Sequence, residues 1–420
     1  MDVVTQIELT GVRGIRKLAL SFAVYEPLTV VTGPAGTGKS TVMDGLRLLG
    51  AAGRSSEEFF EGATELLINR ELQRRENDKI MLQAEIFDSK GKLPTLRYAV
   101  IFGLDEGKAV VVGEGLSTVE PDKDEPSRFD LIRMPDVGGF RSPGADAMAG
   151  QPAWRRQRKA KSNTQFNVRR DQLVLHTTTH PGADPVLRRA AAALSKLLVV
   201  RVSPGEDRPN EAPLEDDAPS QHGRDAQIWR TLQAGDPERW QRALSLARVV
   251  LGPTLANIRA FTPPGGGPMV LMAQFADAPA PVRVERLPHV QREWLSLVGW
   301  ASISQGPGAL LGVDEPELLF PDEAIGALAW ELRRTKIRTL ITTQSAAVLR
   351  LLRDPTDSLY VGRQVEPDRI VFAQPRASLL RAALRRHGDL AWVSANGALE
   401  DTLGDPLDDV GWPPLPGQKG

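Results

Sequence analysis

Residues 33–40 read Gly33-Pro-Ala-Gly-Thr-Gly38-Lys39-Ser40, eight positions whose types and spacing suit one kind of chemistry. The string fills the pattern G-x-x-x-x-G-K-[ST] without deviation. Glycines let backbone N–H groups turn inward on a polyphosphate, and a helix N-terminus behind them adds about half a positive charge. Lys39 is placed to reach the β/γ-phosphates of a nucleotide, and the Ser40 hydroxyl to ligate Mg²⁺. The predicted nucleotide contacts are Gly33, Pro34, Ala35, Gly36, Thr37, Gly38, Lys39, Ser40 and Thr41. The flanks supply the context such a loop needs. Leu28-Thr-Val-Val-Thr32 is an apolar, strand-like run, and Thr41 to Leu49 is helical, ending near Gly50. The bland alternative is a Gly-rich turn with a stray lysine.

Hydrolysis of a nucleotide needs a carboxylate to hold Mg²⁺ and, as a rule, a second to activate the attacking water. Ala309-Leu-Leu-Gly-Val-Asp314-Glu315-Pro316-Glu317 offers both. Asp314 ends an apolar strand that is expected to lie beside the phosphate-loop strand, as a metal ligand together with Ser40. Glu315 follows at once as the candidate general base. The competing reading is a buried strand ending in a solvated acidic turn. About 275 residues separate Lys39 from Asp314, far more than in a compact nucleotide-driven motor. The guanine-reading Asn-Lys-x-Asp of small GTPases is absent. A long insertion followed by adjacent Asp and Glu fits an ABC-type ATPase head. Thr339-Leu-Ile-Thr-Thr-Gln344-Ser345 is a further apolar strand ending in polar residues, where such heads place a γ-phosphate sensor, here Gln344.

The elements that must position these groups can be read along the chain. Gln6 to Phe22 reads as two alternating strands about the turn Thr10–Gly14. Residues 56–76 are helical and highly charged. Ile80 to Phe87, Leu96 to Phe102 and Ala109 to Leu116 read as a meander. Residues 186–202 read as a helix running into a strand, 223–234 and 236–251 as helices, and 204–220 as a Pro- and acid-rich mobile loop. A helix over 291–303 precedes the Asp314 strand, and one over 321–334 leads to the strand 338–343. Ala377 to His387 is a basic helix with Arg376, Arg381, Arg385 and Arg386, read as a solvated or partner-facing surface. The tail after Trp412 is expected to fray.

Composition excludes several classes. The 52 Lys and Arg balance 53 Asp and Glu to a net charge of −1, so any nucleic-acid contact is local rather than global. The chain contains no cysteine, which removes disulfides, thiolate nucleophiles and Cys-based metal sites. No apolar stretch approaches membrane-spanning length, and the first residues, Met-Asp-Val-Val-Thr-Gln, lack a charged region followed by an apolar one, so no secretory leader is expected. A cytoplasmic location with no membrane partner is the expectation.

Four passages carry a family resemblance. Ile7-Glu-Leu-Thr-Gly-Val-Arg-Gly-Ile15 looks like an opening strand and turn of "nFrgi" type. Gly33–Ser40 is the phosphate loop, Leu310–Pro321 looks like "lliDEPElhLHP", and Ile341–Ser345 looks like "iTTHS". On these residues the chain resembles the ABC-type/AAA-type predicted ATPases grouped with RecF, SMC and the overcoming-lysogenisation-defect proteins. The resemblance implies an α/β P-loop NTPase fold of ABC-ATPase-head type, with a mixed helical and β-meander insertion between the Walker A and Walker B motifs. It implies ATP and Mg²⁺ as ligands and a head-to-head dimer, or a higher assembly, completing each site. The expected divisions are 1–50 for the hairpin and phosphate-loop half and 51–280 for the insertion. The signature-loop, Walker B and sensor half spans 281–365, and a C-terminal extension 366–420.

Three departures bear on turnover. Gln344 stands where the family has histidine, and it can donate a hydrogen bond but cannot become cationic. Phe320 stands where the family has the histidine of "LHP". The best signature-loop candidate, Leu287-Pro288-His289-Val290-Gln291, lacks the expected Ser and Gly. Binding should therefore survive better than hydrolysis. The resemblance then implies a slow ATPase acting as a switch in DNA repair or maintenance, or in antiviral defence against foreign DNA. The alternative is a non-hydrolysing ATP-bound scaffold holding a separately encoded effector protein, since no C-terminal nuclease domain is evident. The basic run Trp154 to Lys161, with Arg155, Arg156, Arg158, Lys159 and Lys161, offers phosphates of DNA or RNA a contact; its bland reading is a solvated loop. His176 and His180 stand at i, i+4 in a Thr-rich run and are read as structural. Trp229, Trp240, Trp294 and Trp300 are read as core.

Overall fold

Leu28–Thr32 forms a strand buried along its whole length, as an apolar run covered on both faces must. The computed structural model describes residues 2–22, 27–68, 79–105, 107–119, 129–133, 153–156, 165–167, 172–173, 175–176, 185–201, 221–263, 268–304, 308–353, 355–366 and 369–403. The chain opens with the hairpin β1 (Asp2–Val12) and β2 (Ile15–Ser21), then β3 (Leu28–Thr32), α1 (Lys39–Arg54) and α2 (Ser56–Ile68). The meander β4 (Ile80–Asp88), β5 (Thr95–Asp105) and β6 (Lys108–Val119) follows. It continues through the short strands β7 (Phe129–Arg133), β8 (Ala153–Arg156) and β9 (Gln165–Asn167). Next come α3 (Pro185–Leu194), β10 (Leu197–Arg201), α4 (Gln221–Ala234) and α5 (Pro237–Leu251). A small sheet is formed by β11 (Leu255–Phe261), β12 (Val270–Phe275) and β13 (Val282–Arg283). The chain then passes through α6 (His289–Ile303), β14 (Leu310–Asp314), α7 (Asp322–Thr335) and β15 (Arg338–Thr343). It closes with α8 (Ala346–Leu349), α9 (Pro355–Ser358), the hairpin β16 (Leu359–Glu366) and β17 (Arg369–Ala373), α10 (Ala377–His387) and α11 (Leu390–Ala395).

Fourteen strands form one mixed sheet in the order β10-β14-β15-β3-β16-β17-β2-β1-β4-β5-β6-β7-β8-β9. From β10 to β16 all neighbours are parallel, and from β2 to β9 all are antiparallel. The order corrects one expectation. The Asp314 strand does not lie beside the phosphate-loop strand, because β15 sits between them, pairing with β14 on one side and β3 on the other. All three strands are short, apolar and buried, so composition cannot rank their order. The hairpin β16–β17 runs through residue 366 and joins the sheet through β3 and β2, so β17, within the expected C-terminal extension, shares the central sheet.

The parallel half of the sheet separates two cores. Val31, Leu310 and Leu340 face α1 to α3, with Val42, Met43, Leu46 and Leu194. Val30, Val313 and Ile341 face the other way, toward α4 to α8, with Trp229, Trp294, Leu297 and Leu328. Successive residues of a strand point to opposite faces, so each apolar pentapeptide serves both cores. Helix α1 passes Gly50, where an end was expected, and reaches Arg54. A Cβ on Gly50 would stand 2.3 Å from the Leu197 carbonyl oxygen. The glycine is there for close approach to β10, not for termination. The meander strands and the helix Ala377–His387 form where expected. The three strands of residues 255–283 were not foreseen, and they replace part of what reads as a helical insertion. Residues 69–76, the loop 204–220 and the tail beyond 403 lie outside the described residues. Of the tryptophans read as core, Trp229 and Trp294 are fully buried, while Trp240 and Trp300 are partly buried and pack against the same core.

Candidate nucleotide site

Strand β3 delivers the loop 33–38 to the N-terminus of α1. Gly38 is the helix N-cap with φ 74° and ψ 22°, a left-handed conformation that costs glycine nothing and a side chain about 1–2 kcal/mol. The crest Pro34, Ala35 and Gly36 is exposed, whereas Thr37, Lys39 and Thr41 are buried. Thr37 Oγ1 donates to the Pro34 carbonyl at 2.7 Å and closes the turn. The Lys39 ammonium sits inside the loop and donates to the carbonyls of Gly33 and Pro34, both at 3.1 Å. Its third neighbour is Glu315 Oε1 at 3.4 Å. Phosphate-loop lysine and candidate base are thus already in contact.

The parallel register explains how distant residues meet. Pairing sets Thr343 opposite Thr32 and Asp314 opposite Thr342, so β3, β15 and β14 end at one edge, and α1 starts from that edge. Ser40 Oγ donates to Asp314 Oδ1 at 3.3 Å, although 274 residues separate them. The Thr342 hydroxyl donates to the same oxygen at 2.5 Å. Burial pushes the Asp314 carboxyl above its usual range. The hydrogen bonds from Thr342 and Ser40 and the charge of Arg201 oppose that, and Glu315 adds to it. A buried carboxylate oxygen beside a serine hydroxyl is a hard-oxygen pair of the kind Mg²⁺ takes from a protein when phosphates and water supply the rest. Among the described residues no group of three or more His, Cys, Asp or Glu gathers as a metal cage.

Glu315 leaves β14 in a left-handed conformation, φ 42° and ψ 57°, a strained backbone for a side-chain-bearing residue that must be held by its surroundings. Its N–H is held by the Thr342 carbonyl at 3.0 Å and the Thr342 hydroxyl at 3.1 Å. Pro316 then opens a short 3₁₀ turn. Gln344 Nε2 donates to Glu315 Oε1 at 2.9 Å. The predicted residues Lys39, Ser40, Asp314, Glu315 and Gln344 therefore converge.

Other expectations fall differently. Phe320 is buried and meets Trp294 edge-on, ring centroids 5.0 Å apart, so this position is core. At the signature-loop candidate, α6 starts at His289 with Pro288 as N-cap and no side-chain cap. His176 Nε2 lies 2.8 Å from the Ala52 carbonyl, and burial lowers its pKa. His180 lies outside the described residues, as do Arg158, Lys159, Lys161 and the side chains of Arg155 and Arg156.

Five residues near the site escaped sequence reasoning as functional groups. Asp44 on α1 is buried and holds Arg13 at 3.2 Å, Arg47 at 3.9 Å and, in a short contact, Arg201. Arg201 ends β10 in register with Asp314. Only the register, which a single sequence does not display, places that arginine at the site. Glu317 Oε1 accepts from Thr343 Oγ1, from Gln344 N–H and from Ser345 N–H.

No protein-family profile matches the sequence, and no curated protein matches it. Among solved structures the chain is similar to an SMC head bound to the C-winged helix domain of ScpA. That likeness has 13% identity and a TM-score of 0.45 and covers 90% of this chain and 99% of the other. It is also similar to the Pyrococcus furiosus SMC head with an extended coiled coil, bound to the C-terminal domain of ScpA. Here identity is 10% and the TM-score 0.45, over 92% and 98% of the two chains. The SMC head domain from Thermotoga maritima aligns at 11% identity and a TM-score of 0.35, over 89% and 100%. No helix among the described residues is long and apolar enough to cross a membrane.

Proposed function

We propose that the chain is an ATP-binding ABC-type ATPase of slow turnover, acting as a nucleotide-dependent switch in DNA maintenance or defence against foreign DNA. The observation that carries the reading is the convergence of Lys39, Ser40, Asp314, Glu315 and Gln344 at the carboxyl edge of three parallel strands. A polyphosphate enters at the α1 N-terminus, where the loop N–H groups and the helix dipole favour anions. Lys39 exchanges the Gly33 and Pro34 carbonyls for phosphate oxygens. Ser40 and Asp314 hold Mg²⁺, which neutralises charge on the phosphates when bound. Glu315 takes a proton from the attacking water. Its Oε1 is engaged by Lys39 and Gln344, so Oε2, which has no hydrogen-bond donor among the described residues, is the atom that receives it.

Gln344 orients the Glu315 carboxylate but supplies no positive charge to the transition state. A second reading follows from Gln344 and from the Pro-His-Val sequence at the α6 N-terminus. In it the chain binds ATP without hydrolysing it and holds a separate effector protein. Both readings include self-association that brings the α6 N-terminus of one copy to the phosphate loop of another, and the basic run 155–161 as a local nucleic-acid contact. Turnover separates them. Glu315→Gln should keep ATP affinity and lose about 10²-fold or more in rate, while Lys39→Ala should lose binding. A parent with no turnover above the Glu315→Gln level would favour the scaffold, and a parent that binds no ATP would end both readings.

A further inference from the structure

Three acids leave β14 within four residues, and three consecutive residues at the end of β15 answer them. Thr342 donates to Asp314, Gln344 to Glu315, and Thr343 to Glu317. Strand alternation explains the division. Thr342 and Thr343 point to opposite sides, Thr342 toward Asp314 and Thr343 toward Glu317 in the 3₁₀ turn, and Gln344, one residue past the strand, reaches Glu315. Glu317 Oε1 also takes the Gln344 N–H at 2.6 Å and the Ser345 N–H at 3.2 Å, beside the Thr343 hydroxyl at 2.7 Å. Its other oxygen, Oε2, is buried and has no partner among the described residues.

We propose that Glu317 is a positioning residue. Its Oε1 clamps the backbone of 343–345 and so sets the Gln344 amide against the Glu315 carboxylate. The role rests on the reading that Glu315 activates water at an ATP site. Glu317 itself cannot be the base. One oxygen is filled by three donors, and the other is sealed from solvent, so neither meets an attacking water. The clamp also satisfies the Gln344 N–H, which the strand end would otherwise leave unpaired, and shares the Ser345 N–H with Thr343 Oγ1 at 2.9 Å. Ser345 continues the connection by capping α8, its Oγ accepting from the Ala347 N–H at 3.2 Å. One carboxylate oxygen therefore joins the end of β15, the start of α8 and the base-bearing turn.

The test uses the full chain with Glu317→Ala and Glu317→Gln. Glutamine keeps an acceptor at the Oε1 position and puts its NH₂ where Oε2 already lacks a partner. Glu317→Ala should lower ATP turnover about 30-fold or more, the effect of losing charge-assisted hydrogen bonds, with ATP affinity within about threefold. Glu317→Gln should restore turnover to within about fivefold of the parent. Hydrogen exchange of the peptide 341–349 should rise at least about tenfold in Glu317→Ala, be near the parent in Glu317→Gln, and leave α1 unchanged. If Glu317→Ala does not fold, Thr343→Val removes one donor of the clamp together with the second acceptor of the Ser345 N–H, so turnover and exchange at Gln344 should show the same two changes in smaller measure. Unaltered exchange at 343–345 in the Ala variant, or in Thr343→Val, overturns the clamp. A Gln variant as slow as the Ala variant also overturns it, since Glu317 would then be doing proton chemistry. Should the parent not hydrolyse ATP at all, the ATPase reading fails, and exchange at Gln344 and Ser345 still decides the clamp.

Discussion

Thr342→Val isolates the hydroxyl that ties Asp314, the proposed metal ligand, to the turn that carries Glu315, the proposed base. Thr342 is fully buried, and valine keeps its shape. Two bonds are lost, the donation to Asp314 Oδ1 and the acceptance from the Glu315 N–H at 3.1 Å. The second is redundant, because the same N–H also reaches the Thr342 carbonyl at 3.0 Å. What remains is one hydrogen bond to a carboxylate, about 2 kcal/mol, or about 30-fold in an equilibrium constant. The loss falls on the ionised form of Asp314, whose proton affinity burial has already raised. Without the hydroxyl that affinity rises further. ATP binding with Mg²⁺ should therefore weaken on the acid side, by up to about 30-fold where protons compete for Asp314, while ATP binding in EDTA stays near the parent. The pH below which Mg²⁺-dependent affinity disappears should move up, since protons compete for Asp314. Calorimetric titration with ATP at pH 6, 7 and 8, with Mg²⁺ and with EDTA, reads both effects. Equal Mg²⁺-dependent affinity in variant and parent would refute the placement of Asp314 at the metal, and an equal loss in EDTA would show general damage instead.

Other consequences follow from groups around the site. Asp225 on α4 accepts from Ser296 Oγ on α6 at 3.1 Å, and burial pushes its carboxyl up to about 6. A raised carboxyl stabilises the fold fully below its unfolded pKa and loses that contribution as pH rises through the folded one. The group should thus remove about 1 kcal/mol of stability between pH 5 and 7. Urea midpoints at the two values should show this in the parent and not in Asp225→Asn, which still accepts from Ser296. Asp44→Asn leaves Arg13, Arg47 and Arg201 facing one another without their shared anion. Each guanidinium is about one-third exposed, so the loss should be about 1–2 kcal/mol and shrink in high salt, as urea melts at two ionic strengths would show.

The residues that meet at the site were legible wherever chemistry is written locally. The phosphate loop needs glycine at a left-handed position, the Walker-type strand needs an apolar run ending in acids, and both needs are visible in eight or nine consecutive letters. What resists reading is pairing. Leu28–Thr32, Leu310–Asp314 and Arg338–Thr343 are equally apolar, and nothing in them says that the third lies between the other two. Arg201 looks like the last residue of a strand until register sets it opposite Asp314. Glu317 looks like the second acid of a solvated turn until the turn folds back on Thr343. The small sheet β11–β13 was missed for another reason. In Leu255–Phe261 a register irregularity between Leu255 and Asn257 breaks the two-residue alternation that marks a strand, and Pro- and Gly-rich segments on either side read as loop.

The same topology explains why a long insertion does not disturb a site assembled from both its ends. Strands β3, β15 and β14 are parallel and adjacent, so their carboxyl ends share one edge wherever the chain travels in between. The meander β4–β6 attaches through β1, on the far side of β3 from Asp314, and extends the sheet away from the edge where Ser40 meets Asp314. The bonds that hold the acidic side of the site therefore come from Thr342, Thr343 and Gln344 at the end of β15, with Ser40 from α1. Thr342 and Thr343 are buried and fixed by strand pairing. Gln344 is the member of that trio that is exposed and neutral where a cation would assist charge development. Rate should accordingly respond to the residue at 344 and to the clamp behind it, and only weakly to the meander β4–β6.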